Sequence, residues 1–279
     1  MSHFSVMVIG ANVDAQLQPF HEYECTGVED QYVVWVDYTA KVNEAWAKAD
    51  TTTGDKESFA LDYFGYECRE VDGVKQFGRM TNPNKKWDWW VIGGRWSGQL
   101  KLKPGTAGNY GERSWTNKDE ADDMDRADQA RKVDIDVEGM REDAMSKAAV
   151  QWDLARGTPP CPEWKSWASV LAAHKENFDT AREEYWAQPE VKRIRDALTI
   201  FGQVDVFLTP REQYIAQARD SALSAFAYVK DSQWYERGSM GWFACVSDEK
   251  DMDVWNAQFN AAFDALPDDT LITMVDCHI

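Results

Sequence analysis

Positive charge is scarce in this chain of 279 residues: 30 lysines and arginines stand against 48 aspartates and glutamates, a formal net charge of −18. That balance argues against generic binding to nucleic-acid phosphates, which needs clustered cations. It fits a solvated acidic enzyme, or a protein that imitates a polyanion. Cysteine is sparse as well. The five, Cys25, Cys68, Cys161, Cys245 and Cys277, are odd in number and widely spaced, with no Cys-x-x-Cys pair. This removes zinc-ribbon sites and makes reduced thiols in a cytosol the best fit. No stretch approaches the roughly 20 apolar residues of a membrane span. Met1 to Gly10 lacks the basic region and long apolar core of a signal peptide, so a soluble intracellular protein is expected. The glycine-rich phosphate loops, Gly-x-Ser-x-Gly and His-Glu-x-x-His are missing too, which argues against common nucleotide hydrolases, dehydrogenases, serine hydrolases and zincins.

What the chain has in abundance is tryptophan, 14 residues in all, and four of them fall in Trp87-Asp-Trp-Trp-Val-Ile-Gly-Gly-Arg-Trp96. Indole is large, mostly apolar, and wants a partner for its N–H when buried. Such density points to a packed hairpin core or to a surface that stacks on a flat ligand. Gly93-Gly94 reads as the two-residue turn of a β-hairpin. Pairing outward from it puts Trp87, Trp89, Val91, Trp96 and Leu100 on a core face, with Gly98 making room for the Trp89 ring. Asp88, Trp90, Ile92, Arg95, Ser97 and Gln99 fall on the other, ligand-facing side. A bulge at the two glycines within one long strand is the competing reading.

The fold expected is α+β: a mixed sheet with a ferredoxin-like β-α-β unit formed by the chain ends, plus a helical insertion. Residues 1–116 and 201–279 form the sheet domain and 117–200 the insertion. Phe4 to Ile9 reads as a strand, as do Tyr32 to Val36 and Val204 to Leu208. From Asn117 to Ile200 strand formers thin out. Helices are expected over 139–155, 163–185 and 190–201, with Trp164, Trp167, Leu171 and Phe178 at helical spacing. The acidic run Asp119 to Glu138 reads as a solvated face. Thr209-Pro-Arg-Glu212 has the form of a capping box. Phe226–Val229 and Gln233–Glu236 flank Asp231-Ser232 as a hairpin. Near the end, Trp242–Val246 reads as a strand, Asp251–Leu266 as an amphipathic helix with Trp255, Phe259, Ala262, Phe263 and Leu266 on one stripe, and Leu271–Ile279 as a second strand parallel to the first.

Only four histidines are present: His3, His21, His174 and His278. If the N-terminal strand pairs antiparallel with the C-terminal one, His3 approaches His278. Asp276 then shares a face with His278, because strand faces repeat every two residues. His21, with Glu24 and Cys25, could join from the following loop. The catalytic candidates are therefore His3, His21, His278 and Asp276, weighed against ordinary hydrogen bonding at a sheet edge. The ligand-binding candidates are Lys86, Asp88, Trp90, Arg95 and Gln99, an indole to stack and a guanidinium to clamp phosphate or carboxylate. The alternative there is a purely structural Arg95. No diagnostic metal spacing occurs, so no metal site is assigned, and no cofactor is indicated.

Four stretches taken together carry a resemblance. They are Met1-Ser-His-Phe-Ser-Val-Met-Val-Ile-Gly10, His21-Glu-Tyr-Glu-Cys-Thr-Gly27, Asn82-Pro-Asn-Lys-Lys-Trp-Asp-Trp-Trp-Val-Ile-Gly-Gly-Arg-Trp96 and Leu266-Pro-Asp-Asp-Thr-Leu-Ile-Thr-Met-Val-Asp-Cys-His-Ile279. They resemble a family of uncharacterised proteins of tailed bacteriophages and prophages, in both chain ends and the tryptophan-rich stretch but weakly in the helical insertion. The resemblance implies a phage accessory protein in the host bacterial cytoplasm, a class often directed against host defence. The leading functional expectation is an anti-defence protein that binds a nucleotide-like ligand or defence signal through Trp90 and Arg95. One alternative is a phosphodiesterase-type enzyme that degrades such a ligand with His3, His21 and His278. Another is an acidic inhibitor that contacts a host defence protein directly. Self-association into a homo-oligomer is compatible with the composition.

Overall fold

Phe4–Ile9 and Ile272–Cys277 are near-continuous apolar runs, the pattern of strands covered on both faces. In the computed structural model, which describes residues 2–49, 54–114, 123–157, 161–175, 177–200 and 202–279, these two runs form the centre of the molecule. The strands are β1 (His3–Ile9), β2 (Val34–Asp37), β3 (Glu67–Val71), β4 (Val74–Thr81), β5 (Trp89–Gly94), β6 (Leu100–Lys101), β7 (Glu112–Arg113), β8 (Arg126–Ala127), β9 (Gln129–Arg131), β10 (Ala227–Lys230), β11 (Gln233–Glu236), β12 (Ser239–Met240), β13 (Val246–Ser247) and β14 (Leu271–His278). The helices are α1 (Val13–Leu17), α2 (Tyr23–Thr26), α3 (Thr39–Lys48), α4 (Lys56–Phe64), α5 (Val137–Arg156), α6 (Trp167–Ala173), α7 (Phe178–Ala187), α8 (Pro189–Leu198), α9 (Arg211–Ser221) and α10 (Met252–Asp264).

The fold is α+β, and its main sheet is mixed, in the order β11-β10-β1-β14-β5-β7. The chain ends lie side by side as expected: β1 runs antiparallel to β14 with His3 opposite His278 and Ile9 opposite Ile272. Along its other edge β14 pairs with β5 over Val275–His278 and with β9 over Leu271–Thr273. One face carries Met7, Ile9, Ile272 and Met274 against Trp255, Phe259, Phe263 and Leu266 of the last helix and its exit. The expected stripe of that helix is thus the stripe that packs. The other face carries Phe4, Val6, Val8, Val275 and Cys277 under Val13, Leu17, Phe20 and Trp87. A separate three-stranded sheet, β2-β4-β3, packs with α3 and α4 around Val42, Ala60, Tyr66 and Phe77. The hairpin β10–β11 turns at Asp231-Ser232, both left-handed, as the sequence predicts.

Several expectations are corrected. Gly93-Gly94 is not the two-residue turn of a hairpin; both glycines end strand β5 at φ 82 and 57 and open the turn in which the Trp96 N–H donates to the Gly93 carbonyl. The reason is tertiary. A Cβ on Gly93 would fall on the Asp128 carboxyl group and one on Gly94 on that of Asp276. Gly98 does not face Trp89; its missing Cβ points toward Tyr110. Trp242–Val246 is not a strand of the main sheet, because Phe243 and Ala244 are left-handed; Val246–Ser247 pairs only with Ser239–Met240. The β-α-β crossover into β14 starts instead from β11, which is parallel to β14 with β10 and β1 between them. Val204–Leu208 contains a 3-10 turn rather than a strand, and no side chain caps α9.

The helical part begins later than residue 117, since β9 belongs to the main sheet and α5 starts at Val137. Residues 115–122 lie outside the described residues. The expected 163–185 helix is two: Asn177 accepts a bond from the Thr180 N–H and starts α7, and Phe178 points to solvent. Asp205 ties this unit together. It accepts from the Tyr185 hydroxyl at 2.8 Å, the Trp164 indole at 3.0 Å and the Trp167 N–H at 2.6 Å.

The acidic run read as a solvated face hides one buried carboxyl group. Asp128 is fully buried and accepts from the N–H groups of Gly98 and Gly111 and from the Ser97 hydroxyl. Asp128→Ala strands these donors in the interior, at a cost of roughly 2–4 kcal/mol. Urea unfolding measures this; an unchanged midpoint would mean that water replaces the carboxyl group without loss.

Candidate active site

The registers across β1, β14 and β5 set three ring-bearing residues side by side on adjacent strands. His3 lies opposite His278, and His278 lies opposite Trp89. Because directly opposed residues of neighbouring strands point to the same face, the three side chains share one side of the sheet. The His3 and His278 ring centroids are 4.9 Å apart at an interplanar angle of 68°. The Trp89 ring stands 6.2 Å from that of His3, edge-on.

Each imidazole has its own carboxyl group. His3 Nδ1 bonds Asp276 Oδ1 at 2.8 Å, and His278 Nδ1 bonds Asp88 Oδ1 at 2.6 Å. Asp276 reaches His3 diagonally from the next strand, two residues before His278. Its second oxygen accepts the Arg95 backbone N–H at 3.0 Å, and Gly94 leaves the space it fills. Asp88 is held by its own backbone N–H, which donates to the His278 carbonyl at 2.9 Å. A carboxylate can only accept, so Nδ1 carries the hydrogen in both pairs. Nε2 of each ring is left without a hydrogen-bond partner among the described residues. Two orientable bases, each anchored from behind, therefore stand side by side with partial exposure.

The remaining candidates are placed as follows. His21 is fully buried, with Nδ1 on Thr26 Oγ1 at 2.9 Å, Nε2 3.3 Å from Asp30 and its ring against Trp87. It is a core residue and does not join the pair. Glu24 bonds Thr81, Lys85 and Arg79. Burial pushes its carboxyl up, but the Thr81 and Lys85 bonds win and hold it below the usual carboxylate value. Its contribution to stability is therefore present above the unfolded value and is lost as pH falls through the lowered one. Cys25 lies beside Glu22 and Asp88, and burial together with the Glu22 charge raises its thiol, which weakens it as a nucleophile. Burial pushes the Cys277 thiol far up as well, and it is enclosed in the core.

The ligand-binding set is not assembled as one surface. Lys86 turns to Glu236 at 2.6 Å in a separate cleft of about 540 Å³ that includes Phe20, Lys85 and Trp234. Trp90 packs inward against Trp87 and the Phe4–Val6–Val275 core. Gln99 lies by the Ser224 carbonyl. Asp88 belongs to the histidine pair, and Arg95 borders it, its side chain exposed and without an ion pair among the described residues. Trp89, expected in the core, is the indole left open beside the histidines, 48% exposed.

The sequence does hold the signal for Asp88. It stands directly before the strand that pairs with His278, but its link to that histidine needs the β5–β14 register. No described helix is long and apolar enough to cross a membrane. Compared with known proteins, the chain matches no protein-family model, no curated protein and no solved structure, so the chemistry of this site is read from its own residues.

Proposed function

We propose that the protein is a two-histidine acid–base enzyme that cleaves a phosphodiester in a nucleotide-like ligand. The observation that carries this reading is the pair of His–Asp couples with ring centroids 4.9 Å apart. In the reaction the neutral imidazole takes a proton at Nε2 from the attacking hydroxyl or water. The charged imidazole gives its Nε2 proton to the leaving oxygen. One P–O bond forms and one breaks, and the pair ends with its proton exchanged between the two rings. Asp276 and Asp88 hold the rings in one orientation through their Nδ1 bonds, as a carboxylate behind an imidazole does in other acid–base sites. The exposed Arg95 guanidinium supplies positive charge for the non-bridging oxygens.

The resemblance to tailed-phage proteins supports a setting for this activity: a phage accessory protein, in the host bacterial cytoplasm, that removes a nucleotide defence signal. The test is incubation of the protein with cyclic and linear nucleotides, with products followed by chromatography and phosphorus NMR. New phosphomonoester or cyclic-phosphate products are expected. A ligand that is bound and released intact would favour a pure binder, and no interaction with any nucleotide would favour direct contact with a host protein.

A further inference from the structure

A third ring adjoins the histidines. Trp89, opposite His278 in the register, sets its indole against the His3 ring and is half-exposed. The neighbouring indoles are otherwise engaged. Trp87 is buried and donates its N–H to the Leu17 carbonyl at 2.9 Å, Trp90 packs on the opposite face of the sheet, and Trp234 packs on Phe4 and Phe20. A half-exposed indole offers a flat apolar face on which a planar group can stack. Its flank carries an imidazole at 6.2 Å on one side, and the turn that bears Arg95 follows directly on its own strand.

We infer that Trp89 is the stacking platform for a nucleobase next to the scissile phosphate, which makes the substrate a nucleotide rather than a sugar or lipid phosphodiester. The inference rests on the acid–base reading of the histidine pair for the position of the phosphorus, but the stacking can be measured without turnover. Every base presents a π face, so the platform tolerates different bases. Arg95 faces the phosphate, and Trp89 sets affinity rather than chemistry.

The experiment compares wild type, Trp89→Ala and Trp89→Phe on a diadenosine dinucleotide and on the base-free phosphodiester glycerophosphoglycerol. Calorimetry with the same dinucleotide is run in parallel on His278→Ala and on the His278→Ala/Trp89→Ala double variant. Trp89→Ala is expected to raise KM for the dinucleotide about tenfold or more, with a much smaller effect on kcat. Trp89→Phe restores most of the loss, and the preference for the dinucleotide over the base-free compound disappears only in the alanine variant. Binding to His278→Ala is expected to weaken by a similar factor when Trp89 is also removed. Turnover with a KM that is indifferent to Trp89 overturns the stacking inference and leaves the acid–base reading intact. Trp89-dependent binding without turnover in the wild type supports stacking and overturns the acid–base reading. Absence of dinucleotide binding in every form overturns the stacking inference.

Discussion

Replacing His278 by alanine is expected to lower kcat about 10²–10⁴-fold, the usual contribution of a positioned acid or base, while leaving ligand binding largely in place. The argument is geometric. The His278 ring is 4.9 Å from its partner and is anchored through Nδ1, and its Nε2 has no bond to the protein among the described residues that would explain a structural role. His3→Ala should cost a comparable factor, and the two losses should not add, because acid and base act in one step. Asp88→Asn offers an N–H where His278 now finds an acceptor and so favours the other tautomer. It should lower kcat with little change in KM. Steady-state kinetics on wild type, the three single variants and the His3→Ala/His278→Ala double variant, with thermal melts as a control for folding, measures all of this. Turnover that survives in His278→Ala would show that the ring is an ordinary strand-end histidine.

The second large effect is expected at Gly94. Its φ of 57 lies in the left-handed region, and a Cβ there would fall on the side chain of Asp276. Gly94→Ala is expected to destabilise the protein by roughly 2–5 kcal/mol, combining about 1–2 for left-handed backbone in a non-glycine residue with about 1–3 for overpacking. The same substitution displaces the carboxyl group that holds His3, so activity should fall even at temperatures where the variant is folded. Gly105, also left-handed but with open space around its missing Cβ, is the control: alanine there carries only the backbone cost. Denaturant unfolding of the two variants separates the terms, and equal losses would mean that Asp276 moves aside without penalty.

These glycines also show where the sequence was legible and where it was not. The terminal strands were readable because each is a short apolar run that needs neighbours on both edges. Their antiparallel pairing alone brings His3 to His278 and Asp276. The last helix was readable because its apolar stripe is periodic. Gly93-Gly94, by contrast, has the local chemistry of a tight turn, and what it answers to is distant: the carboxyl groups of Asp128 and Asp276. With no hairpin at the two glycines, β5 pairs with β14 instead of with residues 95–100, and that pairing sets which of its faces is covered. Hence Trp89, expected in the core, is exposed beside the histidines, and Trp90, expected to meet a ligand, packs inward. Asp128 was hidden by its neighbours, an acidic run in which one buried carboxyl group has no local mark. Trp242–Val246 looks like a strand by composition, but the left-handed Phe243 and Ala244 override it.

The most direct test of the paired-histidine account is the pH dependence of kcat/KM for a nucleotide phosphodiester. Catalysis needs one ring neutral and the other charged, so the wild type should give a bell with a limb on each side of its optimum. In His3→Ala and in His278→Ala the residual rate should lose one limb. A wild-type profile that is flat, or that has a single limb matching the one left in either variant, would contradict the account.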